Sequence, residues 1–129
     1  MEHIVIAPDS FKESLDAIKV AEAIATGVKR VLKHAVIKQI PMSDGGEGLV
    51  QTLIAAKGGK IIPHVVKGPM GRPVNAFIGV LNDNTTGIIE MAAASGLAHV
   101  PRAERNPLLT TTYGTEILLA NAAEQRQVN

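Results

Sequence analysis

The chain has 129 residues, 46% of them hydrophobic, a formal net charge of +1 and no cysteine. That length and hydrophobic share suit one globular domain of ordinary size. They exclude a disulfide framework or thiolate site, and the near-zero charge gives no field to draw in nucleic acid or an acidic membrane. Phe11, Phe77 and Tyr113 are too few aromatics for base stacking. No window reaches the apolar length of a membrane span, and Met1 to Ile6 lacks the basic and long apolar parts of a signal peptide. A cytoplasmic protein that binds neither nucleic acid nor membrane is the expectation.

Ile4 to Ala7 is a short apolar run of the kind found in a buried parallel strand, and Pro8 stops it. In the loop that follows, the Ser10 hydroxyl and Lys12 ammonium suit phosphate or carboxylate oxygens. The plainer reading is a solvated lysine and a serine bonded to nearby backbone. Ser14 is placed to cap a helix running to Leu32, whose Ala17, Val20, Ala21, Ile24, Val28 and Val31 share one face. Ala35 to Ile40 reads as a second strand.

The run Ser43-Asp44-Gly45-Gly46-Glu47-Gly48 comes next and opens a helix from about Glu47 to Lys57, ended by Gly58-Gly59. Strand, tight loop, helix is the order that places ligands at a strand's carboxyl end and anions at a helix N-terminus. Gly45, Gly46 and Gly48 let the backbone approach a phosphate, and Asp44 and Glu47 offer hard oxygens suited to Mg²⁺. Equally, Asp44 caps the helix and the glycines make a turn. Lys60 to Val66 reads as a third strand. The pattern β-α-β-α-β favours a parallel sheet covered by helices, with the Asp9-Ser10 and Asp44-Gly45 loops side by side at one edge.

The second half reads differently. Gly68-Pro69-Met70-Gly71 is a turn, Pro73 to Leu81 alternates as a strand, Asn82 to Gly87 turns again, and Ile88 to Ala92 resumes as a strand. This spacing is that of antiparallel hairpins, so a domain boundary is expected near Lys67 to Gly71. Glu90 interrupts a strand otherwise lacking charge. A carboxylate there is costly to bury unless paired or metal-bound, and the alternative is a sheet end facing water. Ala92 to Gly96 is small enough for close approach by a ligand or a helix. Arg105 suits a bidentate grip on a carboxylate, and Thr110, Thr111 and Thr112 either bind an anion or cap the helix expected from Tyr113 to Gln125. His3, His34, His64 and His99 lack ligand spacing and read as surface residues. Neither a Walker A pattern nor G-x-G-x-x-G occurs.

Five segments together resemble the bacterial glycerate kinase family, the type unrelated to the P-loop kinases. They are Ile4 to Leu15, Pro41 to Gly48, Gly68 to Val74, Ile89 to Leu97 and Arg105 to Thr115, in the family's order. The resemblance implies an α/β protein: a Rossmann-like three-layer βαβαβ first segment of a split domain over residues 1–67, then the start of an inserted second α/β domain over 68–129. It implies a cleft between the domains in which D-glycerate is phosphorylated with ATP and Mg²⁺, the 2-phosphate being the expected product.

On that reading Asp44 takes the hydroxyl proton or binds Mg²⁺ with Glu47, and Lys12 and Ser10 steady phosphate oxygens. Gly45, Gly46 and Gly48 serve the nucleotide phosphates. Glu90, Ser95, Arg105, Thr110, Thr111 and Thr112 line the substrate side. Two features depart from the family. Its members are roughly three times this length, judged against the one-domain prior, and Glu116 stands where the family has a glycine. The tail from Ala122 to Asn129 carries no resemblance. An N-terminal fragment or truncated product is therefore expected, with two rival readings: an incomplete piece that needs the missing part or associates through exposed strand edges, and a different α/β fold that binds a phosphorylated metabolite without turnover.

Overall fold

Two separate sheets divide the strands. The computed structural model describes residues 1–125. In chain order the elements are β1 (His3–Ile6), α1 (Ala17–Val31), β2 (Val36–Gln39), α2 (Leu49–Lys57), β3 (Gly59–Lys67), β4 (Pro73–Leu81), β5 (Gly87–Ile89), α3 (Met91–Ser95) and α4 (Tyr113–Gln125), with single 3-10 turns at Leu97–His99 and Arg102–Glu104. The fold is mixed α/β. The residues from Arg126 onward, part of the tail from Ala122 to Asn129, lie outside the described ones.

β1 and β2 pair in parallel, His3 opposite Val36 and Ile6 opposite Gln39. Ile6, Ala21 and Ala25 form a small core there with Ile4 and Ile37 against it. The parallel pairing sends both following loops off the same edge, and the Met42 N–H donates to the Pro8 carbonyl at 2.9 Å. The loops after the first two strands are thus neighbours, as the βαβ pattern requires.

α1 starts later than the Ser14 cap suggests. Phe11 to Leu15 closes on itself as a tight turn, and Asp16 is the cap, its side chain accepting from the Lys19 N–H at 2.8 Å. Both residues are good N-caps. The turn ahead of the helix decides between them, because Ser14 is held inside it by an N–H bond to the Phe11 carbonyl.

The third strand does not complete a three-stranded parallel sheet. β3 pairs antiparallel with β4 over nine residues each, from Gly59 opposite Leu81 to Lys67 opposite Pro73, and β4 pairs with β5 in the order β3-β4-β5. A short hairpin connection makes this the local solution. Gly68 N–H bonds the Arg72 carbonyl at 2.8 Å, and Gly71 turns the chain at φ 76°. The hairpin therefore spans the 67/68 point. At the next turn, Asp83 accepts from the N–H groups of Thr85 and Thr86 and from the Thr86 hydroxyl. The hydroxyl bond leads in drawing its carboxyl down to about 2.

α2 belongs with this second sheet. Gly79 has no side chain, and a Cβ there would stand 2.8 Å from Val50 Cγ1, so the glycine is what lets α2 lie so close. On the opposite face, Ala76 and Ile78 of β4 join Val66, Ala93, Ala94 and Leu118 in the main core. Successive strand residues point to opposite faces. The antiparallel sheet is thus covered by α2 on one side and by α3 and α4 on the other.

Leu118 is fully buried, whereas its neighbour Leu119 is 55% exposed. Leu118→Ala is expected to cost about 3 kcal/mol in chemical denaturation, and Leu119→Ala under about 0.5 kcal/mol. Equal losses would show that α4 does not present Leu118 to this core.

Candidate active site

The α2 N-terminus is closed by a residue far along the chain. Its cap position is Gly48, at φ 87°, which has no side chain to accept a hydrogen bond. Glu90 supplies the acceptor: its Oε2 takes the N–H of Gly48 at 3.1 Å and of Val50 at 3.3 Å. Glu90 is not inside a strand. It follows β5 and stands at the N-cap of α3, only 3% exposed. The expected strand to Ala92 breaks there because Met91 onward turns helical, so the water-facing alternative does not hold.

Burial pushes the Glu90 carboxyl above its usual range. The N–H bonds from Gly48 and Val50 hold it back, and the negative charge of Glu47 adds to the rise.

Two other loop amides are engaged as well. Gly45 N–H bonds Ser43 Oγ at 3.2 Å and Gly46 N–H bonds Asp44 Oδ1 at 2.9 Å. Asp44 therefore closes a local turn and does not cap α2, because Gly48 intervenes between it and the first helical residue, Leu49. With the Gly48 N–H on Glu90, the position where an anion would meet this helix start already holds the protein's own carboxylate.

Two cavities sit beside this junction. The first, about 830 Å³, is lined from one side by Lys12, Glu13 and the start of α1, and from the other by Gly46, Glu47, Gly48, Glu90 and Ser95. The second, about 580 Å³, is lined by Ser95, Arg105, Thr110, Thr111 and Thr112 among others. Ser95 borders both, and its Oγ lies 2.9 Å from Thr115 Oγ1. The structure thus gathers Lys12, Gly46, Glu47, Gly48 and Glu90 on one side of Ser95, and Arg105 with the three threonines on the other. Ser10, Asp44 and Gly45 line neither cavity. Ser10 is occupied locally, its N–H on Asp9 Oδ1 at 2.6 Å.

Three lining residues escaped the sequence reading. Gln51 borders the first cavity, and its Oε1 is buried without a hydrogen-bond partner. His99 also borders it and is half-buried, with Nε2 2.9 Å from the Ala93 carbonyl, so it is not a surface residue. Glu13 bonds Arg105 across 92 residues. Only Glu13 had a signal, as a carboxylate inside the first of the five segments.

No group of three or more His, Cys, Asp or Glu side chains gathers to hold a metal among the described residues. Glu47, on the wall of the first cavity, suits a looser mode in which a single carboxylate shares a cation with water, as Mg²⁺ prefers, whereas Asp44 lines neither cavity.

Residues 4–128 match the model of the Glycerate kinase family. The chain belongs to the glycerate kinase family. It is 55% identical over 121 residues to a glycerate kinase of Bacillus subtilis (strain 168), covering 94% of this chain and 32% of that protein. It is 48% identical to the glycerate 2-kinase of Escherichia coli (strain K12), covering 98% and 33%. A crystal structure from Salmonella typhimurium LT2, assigned as glycerate kinase 2, superposes with a TM-score of 0.69 at 47% identity, over 97% of this chain and 34% of that one. The chain therefore spans about a third of the length of the glycerate kinases it matches.

The titration of Glu90 gives a test within this glycerate kinase segment. The folded state holds its proton more tightly than the unfolded chain, where the carboxyl titrates near 4.5. Its share of stability is therefore fully present below that pH and declines as pH rises through the raised value. In thermal melts, wild type should lose ground to Glu90→Gln as pH rises from 4.5 toward neutrality. A difference that does not change with pH would refute this account of the buried carboxylate.

Proposed function

We propose that this chain carries the glycerate-binding part of an ATP- and Mg²⁺-dependent kinase that phosphorylates D-glycerate at the 2-hydroxyl. The observation that carries the reading is the meeting of the family-like segments around Ser95. One brings Lys12, one Gly46 to Gly48, one Glu90 and Ser95, and one Arg105 with the threonines. Phosphoryl transfer depends on positioning and charge neutralisation, and this arrangement supplies both in adjoining spaces.

Arg105 takes the carboxylate of glycerate, and the threonine hydroxyls and Ser95 receive its hydroxyl groups. Lys12 neutralises phosphate charge from the first cavity. Asp44, which lines neither cavity here, takes the proton of the attacking hydroxyl in a state where its loop is drawn toward the cleft. Glu47, on the wall of the first cavity, would hold Mg²⁺, which would supply charge neutralisation for the transferred group. Glu90 acts on substrate indirectly, by fixing the backbone at Gly48 and Val50. Ser10 remains a candidate for phosphate oxygens in a state where its loop is drawn toward the cleft.

The β1–β2 pair is proposed as the opening of a Rossmann-like domain, and the β3–β4–β5 sheet with α2, α3 and α4 as the start of the second. A second reading, an incomplete piece without turnover of its own, is favoured by one observation. Val5 is 62% exposed on a sheet of only two strands, so the first unit lacks cover on that side.

Both readings are tested by measuring D-glycerate binding by calorimetry and ATP-dependent phosphorylation in a coupled assay. Binding by the chain alone is expected, and turnover is expected once a polypeptide matching the remaining two thirds of its relatives is supplied. In the active form, Asp44→Asn and Lys12→Ala should each lower kcat about 10²-fold. Full turnover in Asp44→Asn would remove its assigned role. ATP-independent binding with no turnover under any supply would favour a metabolite-binding protein.

A further inference from the structure

The tight turn before α1 is closed by backbone hydrogen bonds and carries Glu13 at its tip. Phe11 N–H bonds the Leu15 carbonyl at 2.9 Å, and Leu15 N–H bonds the Phe11 carbonyl at 3.0 Å. Glu13 at the tip has φ 59°, the left-handed region that residues with a Cβ avoid. Its carboxylate leaves the first unit altogether. Oε1 accepts from Arg105 Nη2 at 2.6 Å, and Oε2 accepts from Arg102 Nη2 at 3.4 Å. Arg105 draws the Glu13 carboxyl below its usual range, so it stays ionised near neutral pH.

Arg105 is tied a second time. Its Nε donates to the Val100 carbonyl at 3.2 Å. These two bonds use two nitrogens of a planar fork, while Nη1 makes no hydrogen bond among the described residues. The side chain is only 26% exposed and borders the cavity of Ser95 and Thr110 to Thr112. An exposed ion pair contributes little stability. Two arginines on one carboxylate also leave a surplus positive charge beside that cavity. The geometry therefore serves direction: a guanidinium grips a carboxylate well only when its plane is fixed.

We propose that Glu13 is a positioning residue, which with the Val100 carbonyl fixes the Arg105 guanidinium in the cavity wall so that Nη1 is left to receive a small carboxylate ligand. The role rests on the reading of that cavity as the glycerate carboxylate site. It also makes that site depend on both units, since the turn belongs to the first and Arg105 to the second.

The test follows the Arg105 Nε–Hε signal by NMR in the isotopically labelled 129-residue chain, with D-glycerate as titrant. Glu13→Gln should speed Hε exchange and weaken D-glycerate binding by about tenfold each, the loss of one charge-assisted bond. Glu13→Gly should do the same. Glycine suits the positive φ, so its loss of affinity cannot be blamed on a strained turn, and unchanged backbone spectra will show that the fold persists. Unchanged Hε exchange in both variants overturns the proposal. So does tighter glycerate binding in Glu13→Gln, which would make Glu13 a competitor of the ligand. If Arg105→Lys abolishes binding while Glu13→Gln leaves it intact, the positioning role alone fails. If Arg105→Lys binds like wild type, the carboxylate reading of the cavity fails, and the role with it.

Discussion

A buried carboxylate and a helix start without a cap each pose a problem that the other solves. Glu90, 3% exposed, needs donors. α2, which begins after Gly48, needs an acceptor for its first N–H groups. Their two hydrogen bonds join residues 42 and 40 positions apart. Through them the Gly-rich loop is tied to the junction of β5 and α3, and the wall of the first cavity acquires a fixed shape. Removing either partner strands the other, so the interaction acts as a constraint on geometry more than as a source of net stability.

That constraint works because the surrounding packing is close. α2 can bring its first turn to Glu90 only by lying flat on the sheet, and Gly79 permits this where any side chain would meet Val50. The other face is closed by Ile78 and Leu118, both effectively without solvent exposure. The second sheet is thus covered on both sides. The β1–β2 pair has α1 on one face and an exposed Val5 on its own strand. The two units differ accordingly: one has layers on both faces, and the other leaves the apolar Val5 exposed.

Local patterning made most elements legible. The alternation from Pro73 to Leu81 matches the structure, because it depends on neighbours a few residues away. The helical face holds at Ala17, Val20 and Ala21 but leaves Ile24 and Val31 exposed and buries Ala25 instead. Partner choice was not legible. Ile62, His64 and Val66 alternate in the same way whether β3 extends a parallel sheet or folds back on β4, and only the hairpin decides. Ser14 and Asp16 are both competent caps, and the choice turns on the Phe11 to Leu15 closure. The site was half legible for the same reason. Residue type marked Arg105 and Glu90 as chemically costly and so informative, but their partners, Glu13 and the α2 amides, are brought by the fold from distant sequence.

The charges around the two cavities explain why one protein would keep them apart. The first is bordered by the carboxylates of Glu13, Asp16, Glu22, Glu47 and Glu90 against Lys12 and Lys19. Asp16 and Lys19 pair with each other at 2.8 Å, and Glu13 is taken by Arg105 at 2.6 Å. Lys12 then faces Glu22, Glu47 and Glu90, so an unaccompanied polyphosphate would meet like charge. A divalent cation reverses that sign, and Glu47 on the cavity wall is where a shared ion would meet protein oxygen. The second cavity has Arg105 as its charged lining residue, amid threonine and serine hydroxyls. It suits a small monoanion that bears hydroxyl groups. Under the proposed function, such a partition would let a metal-bound phosphate donor and a hydroxy acid approach Ser95 from opposite sides without competing for one cation. Gly48, held in place by Glu90, forms part of the wall of the first cavity beside it.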